Sequence, residues 1–172
     1  MTDDLEQAQA TSHDPVLVVQ EIYPALLSMA RSLVGPSSAE DVVQETLVSV
    51  LARYPRFDGL ASPLAYSKTA LARLAYRSWR TPELPSEVPN SLADEHGEAF
   101  TEDVVLRRIV LAALDELPKR QRACVYLRFI EGLSDQEIAA VLGCRASTVR
   151  SQTARALKSL RPVLLSQGVH GV

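Results

Sequence analysis

The chain has 172 residues, 47% of them hydrophobic and 5% aromatic, with a formal net charge of -3. That length supplies one domain of ordinary size or two small ones, and the Leu, Val and Ala content falls in helix-spaced groups rather than alternating strands, so an all-α fold is expected. No run approaches the roughly 20 uninterrupted apolar residues of a membrane span, and the start, MTDDLEQAQATSHD, is acidic and polar where a secretory signal would be basic and then apolar; a soluble, cytoplasmic protein is expected.

Residues 1–15 read as an N-terminal tail. Val16, Val19, Ile22, Leu26, Ala30 and Leu33 predict a helix over 16–34, closed by Gly35-Pro36 and kinked or split at Pro24. A second helix is expected from Ser37 or Ser38 to about Tyr54, because Ser37-x-x-Glu40 and Ser38-x-x-Asp41 both have capping-box character. YPRFDGLASP, 54–63, is a loop by its two prolines and glycine, and a third helix follows over 64–80. The first module is therefore 16–80.

After Thr81 the texture changes. Pro82, Pro85 and Pro89 alternate with Glu, Ser and Asn, so 81–100 reads as a flexible acidic linker. A second module spans 101–165, before a short tail at 166–172. In it, TEDVVLRRIVLAALDEL carries one broad apolar stripe, and Pro118 separates it from KRQRACVYLRFIEG, which stops at Gly132. Ser134-x-x-Glu137 is a capping box opening a helix of about nine residues that Gly143 ends. The last helix runs from about Ser147 to Leu165, bent or ended near Pro162.

Charge is segregated along this plan. Residues 1–50 carry one basic residue against eight acidic, 51–82 six against one, 83–106 none against seven, and 107–172 eleven against five. Two basic modules are thus separated by an acidic connector, and the near-neutral total hides it. Cys124 and Cys144 belong to no C-x-x-C pair and read as free thiols. His13, His96 and His170 are scattered, so neither a metal site nor a cofactor is expected.

Two helices joined by a short glycine-containing turn make a helix-turn-helix, whose second helix fits the major groove of DNA. Ile138, Ala139 and Leu142 form the buried side of the first helix; Val149, Thr153, Ala156, Leu157 and Leu160 form that of the second. The opposite face carries Ser147, Thr148, Arg150, Ser151, Ala154, Arg155 and Lys158. Arginine pairs bidentately with guanine edges, hydroxyls bond bases or phosphates, and a helix N-terminus favours phosphate, so this face is read as a duplex-DNA surface. Lys119, Arg120 and Arg122 add a cluster suited to backbone phosphates.

Two further faces stand out in the first module. Asp41, Gln44, Glu45, Val48 and Ala52 share one side of the second helix, mixing carboxylate, amide and small apolar groups with no lysine, which suits a partner helix. On the third, Tyr66, Thr69, Arg73, Tyr76, Arg77 and Arg80 make an aromatic and cationic stripe of the kind that stacks and holds unpaired bases. Trp79 reads as a packing residue.

At these residues the chain resembles a known family. LDELPKRQRACVYLRFIEGLSDQEIAAVLGCRASTVRSQTARALKSLR looks like region four of the sigma factors, which reads the −35 promoter element. SSAEDVVQETLVSVLARY looks like the region-two helix that binds RNA polymerase. With only these two regions, the chain is similar to the extracytoplasmic-function group, and PLAYSKTALARLAYRSWR to an actinobacterial branch of it. The resemblance implies that the 41–52 face grips the coiled coil of the polymerase's largest subunit. It also implies that the third helix and the loop before it, with Arg56, Phe57 and Asp58, capture bases of the −10 element, and that promoter DNA and an anti-sigma factor are further partners. Arg73 departs from the family pattern, where asparagine is usual. An autonomous helix-turn-helix regulator, or a polymerase-binding adaptor with degenerate −10 recognition, remains the alternative.

Overall fold

The computed structural model describes residues 14–79 and 102–166; side chains of 102–108 are outside that description. The linker and tail expectations, and Arg80, lie outside the described residues. Seven α-helices and one π-helical turn make up the described chain, with no strand among them.

Helix α1 (Pro15–Val34) opens on Asp14, whose carboxylate accepts the Val16 amide at 2.9 Å. It continues through Pro24, which does not split it. Pro24 and Gln20 are both exposed, so the Gln20 carbonyl that loses its partner to the proline ring faces water. Gly35, at φ 89°, turns the chain, and α2 (Pro36–Arg53) begins at once. The expected serine caps are not used: Pro36 fills the first helical position, where it leaves no amide to satisfy, and α2 has no side-chain cap. In α3 (Pro63–Ser78) Ser62 is the cap, its hydroxyl accepting from Ala65 N at 3.2 Å. Leu26, Met29 and Leu33 of α1, Val43 and Val50 of α2, and Leu71 and Ala75 of α3 close one core.

α1 is long and apolar enough to span a membrane by length and composition. Its most apolar side, Ile22, Leu26, Met29, Ala30 and Leu33, is instead buried against α2 and α3, as in a core helix.

In the second module α4 (Glu102–Asp115) and α7 (Ala146–Ser166) share a small core of Ala113, Leu114, Leu117, Val125, Ala156, Leu160 and Leu164. Between them come α5 (Lys119–Val125), a π-helical turn (Tyr126–Ile130) and α6 (Asp135–Leu142). The expected single helix after Pro118 is thus a short α-helix that widens at Tyr126. α7 runs through Pro162, which is exposed.

The helix-turn-helix forms as its local chemistry dictates. Ser134 Oγ accepts the Glu137 amide at 3.3 Å while Glu137 accepts the Ser134 amide at 2.8 Å. Gly143 sits at φ 61°, and a Cβ there would meet nothing within 4 Å, so the backbone conformation rather than space calls for glycine. The Ser134 hydroxyl, which donates to the Glu137 carboxylate at 2.7 Å, and then the Ser134 amide hold the Glu137 carboxyl below the ordinary glutamate range. Its contribution is therefore complete above that range and is lost as pH falls through the folded-state value. Ser134→Ala should cost about 1 kcal/mol and flatten the acid limb of stability, measured by urea melts at several pH values.

The modules are not held apart. Ala123, Cys124, Tyr126, Leu127, Ile138, Val141, Leu142 and Val149 belong to the same buried cluster as the α1–α3 core. α5 and α6 lean on α1 and α3, so the described chain is one packed body.

Candidate nucleic-acid and polymerase interfaces

On α7, Val149, Thr153, Ala156 and Leu160 are buried, as their spacing predicts. Leu157 is not: it is 37% exposed and joins the outer side. Ser147, Thr148, Arg150, Ser151, Ala154, Arg155 and Lys158 are all exposed, so the whole face is available to a groove. Ser151 Oγ donates to the Thr148 carbonyl at 2.9 Å, which leaves its oxygen as an outward acceptor. The sequence reading missed Asp135. Its carboxylate pairs with Arg128 and lies 3.9 Å from an Arg150 nitrogen, biasing where that guanidinium points. The only signal in the chain was an acidic residue at the first position of α6, ordinarily explained by the helix dipole.

Lys119 and Arg120 are exposed at the start of α5, but Arg122 is 6% exposed and cannot hold DNA phosphate. It lies 3.1 Å from an Asp115 carboxylate oxygen and donates to the carbonyls of Asp115, Leu117 at 3.3 Å and Ser32 at 3.4 Å. Instead of a phosphate contact it is a buried tie between α4, α5 and the end of α1. Burial pushes the Asp115 pKa up and the Arg122 pKa down, and their mutual attraction opposes both shifts.

The α2 face emerges as spaced. Asp41, Gln44, Glu45, Val48 and Ala52 are all exposed, and Val48 at 69% is the most exposed large apolar residue of the described chain.

The α3 stripe is divided. Arg73 and Arg77 are exposed, whereas Tyr66, Thr69 and Tyr76 are half-buried. Tyr66 meets Tyr54 edge to face at 5.2 Å, and Tyr76 meets Trp79 in the same way at 5.8 Å. Trp79 packs against the core. In the preceding loop Arg56 and Asp58 are exposed, but Phe57 is 3% exposed at φ 57°. A bulky residue takes a left-handed backbone only when burial offsets the strain, so Phe57 anchors the loop to the core and does not meet a base.

Burial raises the Cys124 pKa to about 11, with Cys144 and Asp135 adding to the shift, so at neutral pH it is an unreactive thiol. Both cysteines are free. Among the described residues no cluster of His, Cys, Asp or Glu could hold a metal ion.

Known proteins resemble the chain over both modules. Residues 18–82 match the family Sigma-70 region 2, and residues 107–160 match Sigma-70, region 4. The chain is 35% identical to the RNA polymerase sigma-E factor of Streptomyces avermitilis over 164 residues, covering 91% of this chain and 90% of that one. It is 31% identical to the ECF RNA polymerase sigma factor SigX of Bacillus subtilis, covering 83% and 77%. The sigma factor RpoE of Bartonella quintana, solved with the anti-sigma factor NepR, superposes with a TM-score of 0.58 at 26% identity, covering 88% of this chain and 96% of that one. An all-helical chain with region two, region four and an exposed helix-turn-helix reader belongs to the extracytoplasmic-function sigma factors of the sigma-70 family.

Proposed function

We propose that this sigma factor divides its work among three surfaces: polymerase docking by Asp41, Gln44, Glu45, Val48 and Ala52, −35 reading by the outer face of α7, and −10 capture by α3. The observation that carries the reading is the exposed, lysine-free face of α2 beside two separate cationic surfaces. A partner helix buries such a face readily, because Val48 contributes apolar area while the carboxylates meet basic side chains of the partner. The polymerase makes the phosphodiester bonds; the sigma factor supplies position and specificity. It acts in the cytoplasm, where the polymerase is.

Val48→Lys tests the docking surface. The residue is exposed, so stability should stay within about 0.5 kcal/mol, while polymerase affinity should fall about tenfold or more, as expected for a central contact. Pull-down of core polymerase and σ-dependent run-off transcription measure the loss. Equal run-off from Val48→Lys and the unaltered protein would rule the α2 face out.

Dependence on polymerase is the functional mark of the family, and run-off with and without core polymerase measures it. A regulator binds its duplex specifically without polymerase; a sigma factor depends on polymerase for start-site choice. The RpoE neighbour was solved with an anti-sigma factor, and by analogy an anti-sigma factor is a candidate inhibitor here.

A further inference from the structure

We propose that the cleft between α1, α3, the π-helical turn and α6 is a binding site for a small neutral ring compound carrying one N–H or O–H donor, a bicyclic molecule of the size of indole. It adds a ligand site to the three macromolecular surfaces above.

Size sets the first bound on the ligand. The cleft has a volume of about 220 Å³, and its apolar walls are Met29, Leu64, Leu127, Leu133 and Val141. A dry apolar cavity of about 150 Å³ takes benzene, so this one has room for a second fused ring. Met29, Leu127 and Val141 are buried in the core, and Leu64 and Leu133 are half-buried against it, so the walls are fixed before a ligand arrives. Water among these side chains finds few of the two to four polar partners it needs, and an apolar ring gains by taking its place.

Polarity sets the second bound. Lys68 donates to both carboxylate oxygens of Glu131, at 2.9 and 2.8 Å. Each oxygen keeps a further acceptor position that no other donor among the described residues uses. Thr69 Oγ1 gives its proton to the Ala65 carbonyl at 3.0 Å, so towards the cleft it too can only accept. Lys68 and Ser62 retain donor protons, but Ser62 is exposed at the mouth and the Lys68 side chain is 25% exposed, so water serves them; Glu131, at 14%, is the more shielded of the pair. The unmet group inside the cleft is therefore an acceptor, and the ligand that suits it brings a donor. Lys68 and Glu131 are neutral as a pair. A charged ligand would be desolvated and would meet a like charge in the shielded cleft, whereas a neutral one escapes both costs.

Titration of the full chain with indole tests this, followed by the methyl signals of its Leu and Val residues in NMR spectra. Binding should saturate with a Kd of roughly 0.1–1 mM, as expected for about nine non-hydrogen atoms. The signals of Leu64, Leu127, Leu133 and Val141 should move, while those of the exposed Val16, Leu17 and Val48 stay in place. 1-Methylindole has the same rings but no donor, and should bind about tenfold more weakly because the Glu131 acceptor stays unmet. Indole-3-acetate, an anion, should also bind more weakly than indole. Leu133→Trp, which puts a ring of the protein's own into the cleft, should abolish saturable binding; if that variant does not fold, the ligand series on the unaltered chain decides. Shifts that do not saturate or are scattered over the surface, or indole binding retained by folded Leu133→Trp, overturn the site. Equal affinity for indole and 1-methylindole, or tighter binding of indole-3-acetate, overturns the ligand class.

Discussion

Replacing Arg150 with alanine is expected to reduce run-off transcription from a −35-dependent promoter by roughly 5- to 150-fold, the range for losing one good bidentate base contact. Its side chain is 61% exposed and sits on the outer face of α7, away from the buried Val149, Thr153 and Ala156. The melting temperature should therefore hardly move. What should change is sequence preference: one position of the −35 element becomes tolerant of other bases, seen by testing all four bases at each position. Lys158→Ala should behave differently. A phosphate contact weakens binding about equally across sequences and lowers the salt dependence by about one charge. Asp135→Asn, which frees Arg150 from its nearby carboxylate, should shift base preference with a smaller loss of total activity. Unaltered preference in both Arg150→Ala and Asp135→Asn would move the reading head elsewhere on α7.

Arg122→Ala is the second large effect, and it concerns stability rather than DNA. Breaking a buried pair leaves the Asp115 carboxylate without its counter-charge among apolar neighbours, at a cost of about 3–5 kcal/mol. For a chain of this size that lowers the melting temperature by about 6–20 °C. The pKa directions of both partners are dominated by desolvation, so the pair adds little net stability over an apolar replacement. Arg122→Met with Asp115→Leu should therefore be less damaging than Arg122→Ala alone. Thermal melts with a double-mutant cycle check this. If Arg122→Ala melts normally and instead loses duplex affinity, Arg122 belongs to the DNA surface after all.

Much of this protein could be read before its fold was known, because the signals are local. The capping box at Ser134 and Glu137, the turn at Gly143 and the buried stripe of α7 each depend on residues within a few positions of one another. The exposed α2 face follows from the same periodicity. Where several local signals compete, the reading weakens. Ser37 and Ser38 looked like caps, but Pro36 started the helix one residue earlier, and Pro24 did not interrupt a helix that buries its opposite side.

Arg122 and Phe57 show a different limit. Arg122 follows the exposed Lys119 and Arg120 in a basic run, yet it stands four residues before buried Tyr126, on the inward side of the helix. Whether an inward arginine is tolerable depends on carbonyls and a carboxylate brought by α1 and α4, which local spacing does not report. Phe57 sits in a loop that composition marks as exposed, and only the neighbouring core makes its strained backbone worthwhile.

From the sequence alone came the helices, the reader motif, the alternation of basic and acidic segments and the family. The tertiary structure decided which cations face solvent, that Asp135 lies beside Arg150, and that the two modules rest on each other. The reason is range: helix period and capping act over about one turn of backbone, whereas burial and ion pairing depend on groups tens of residues away, as Lys68 and Glu131 do.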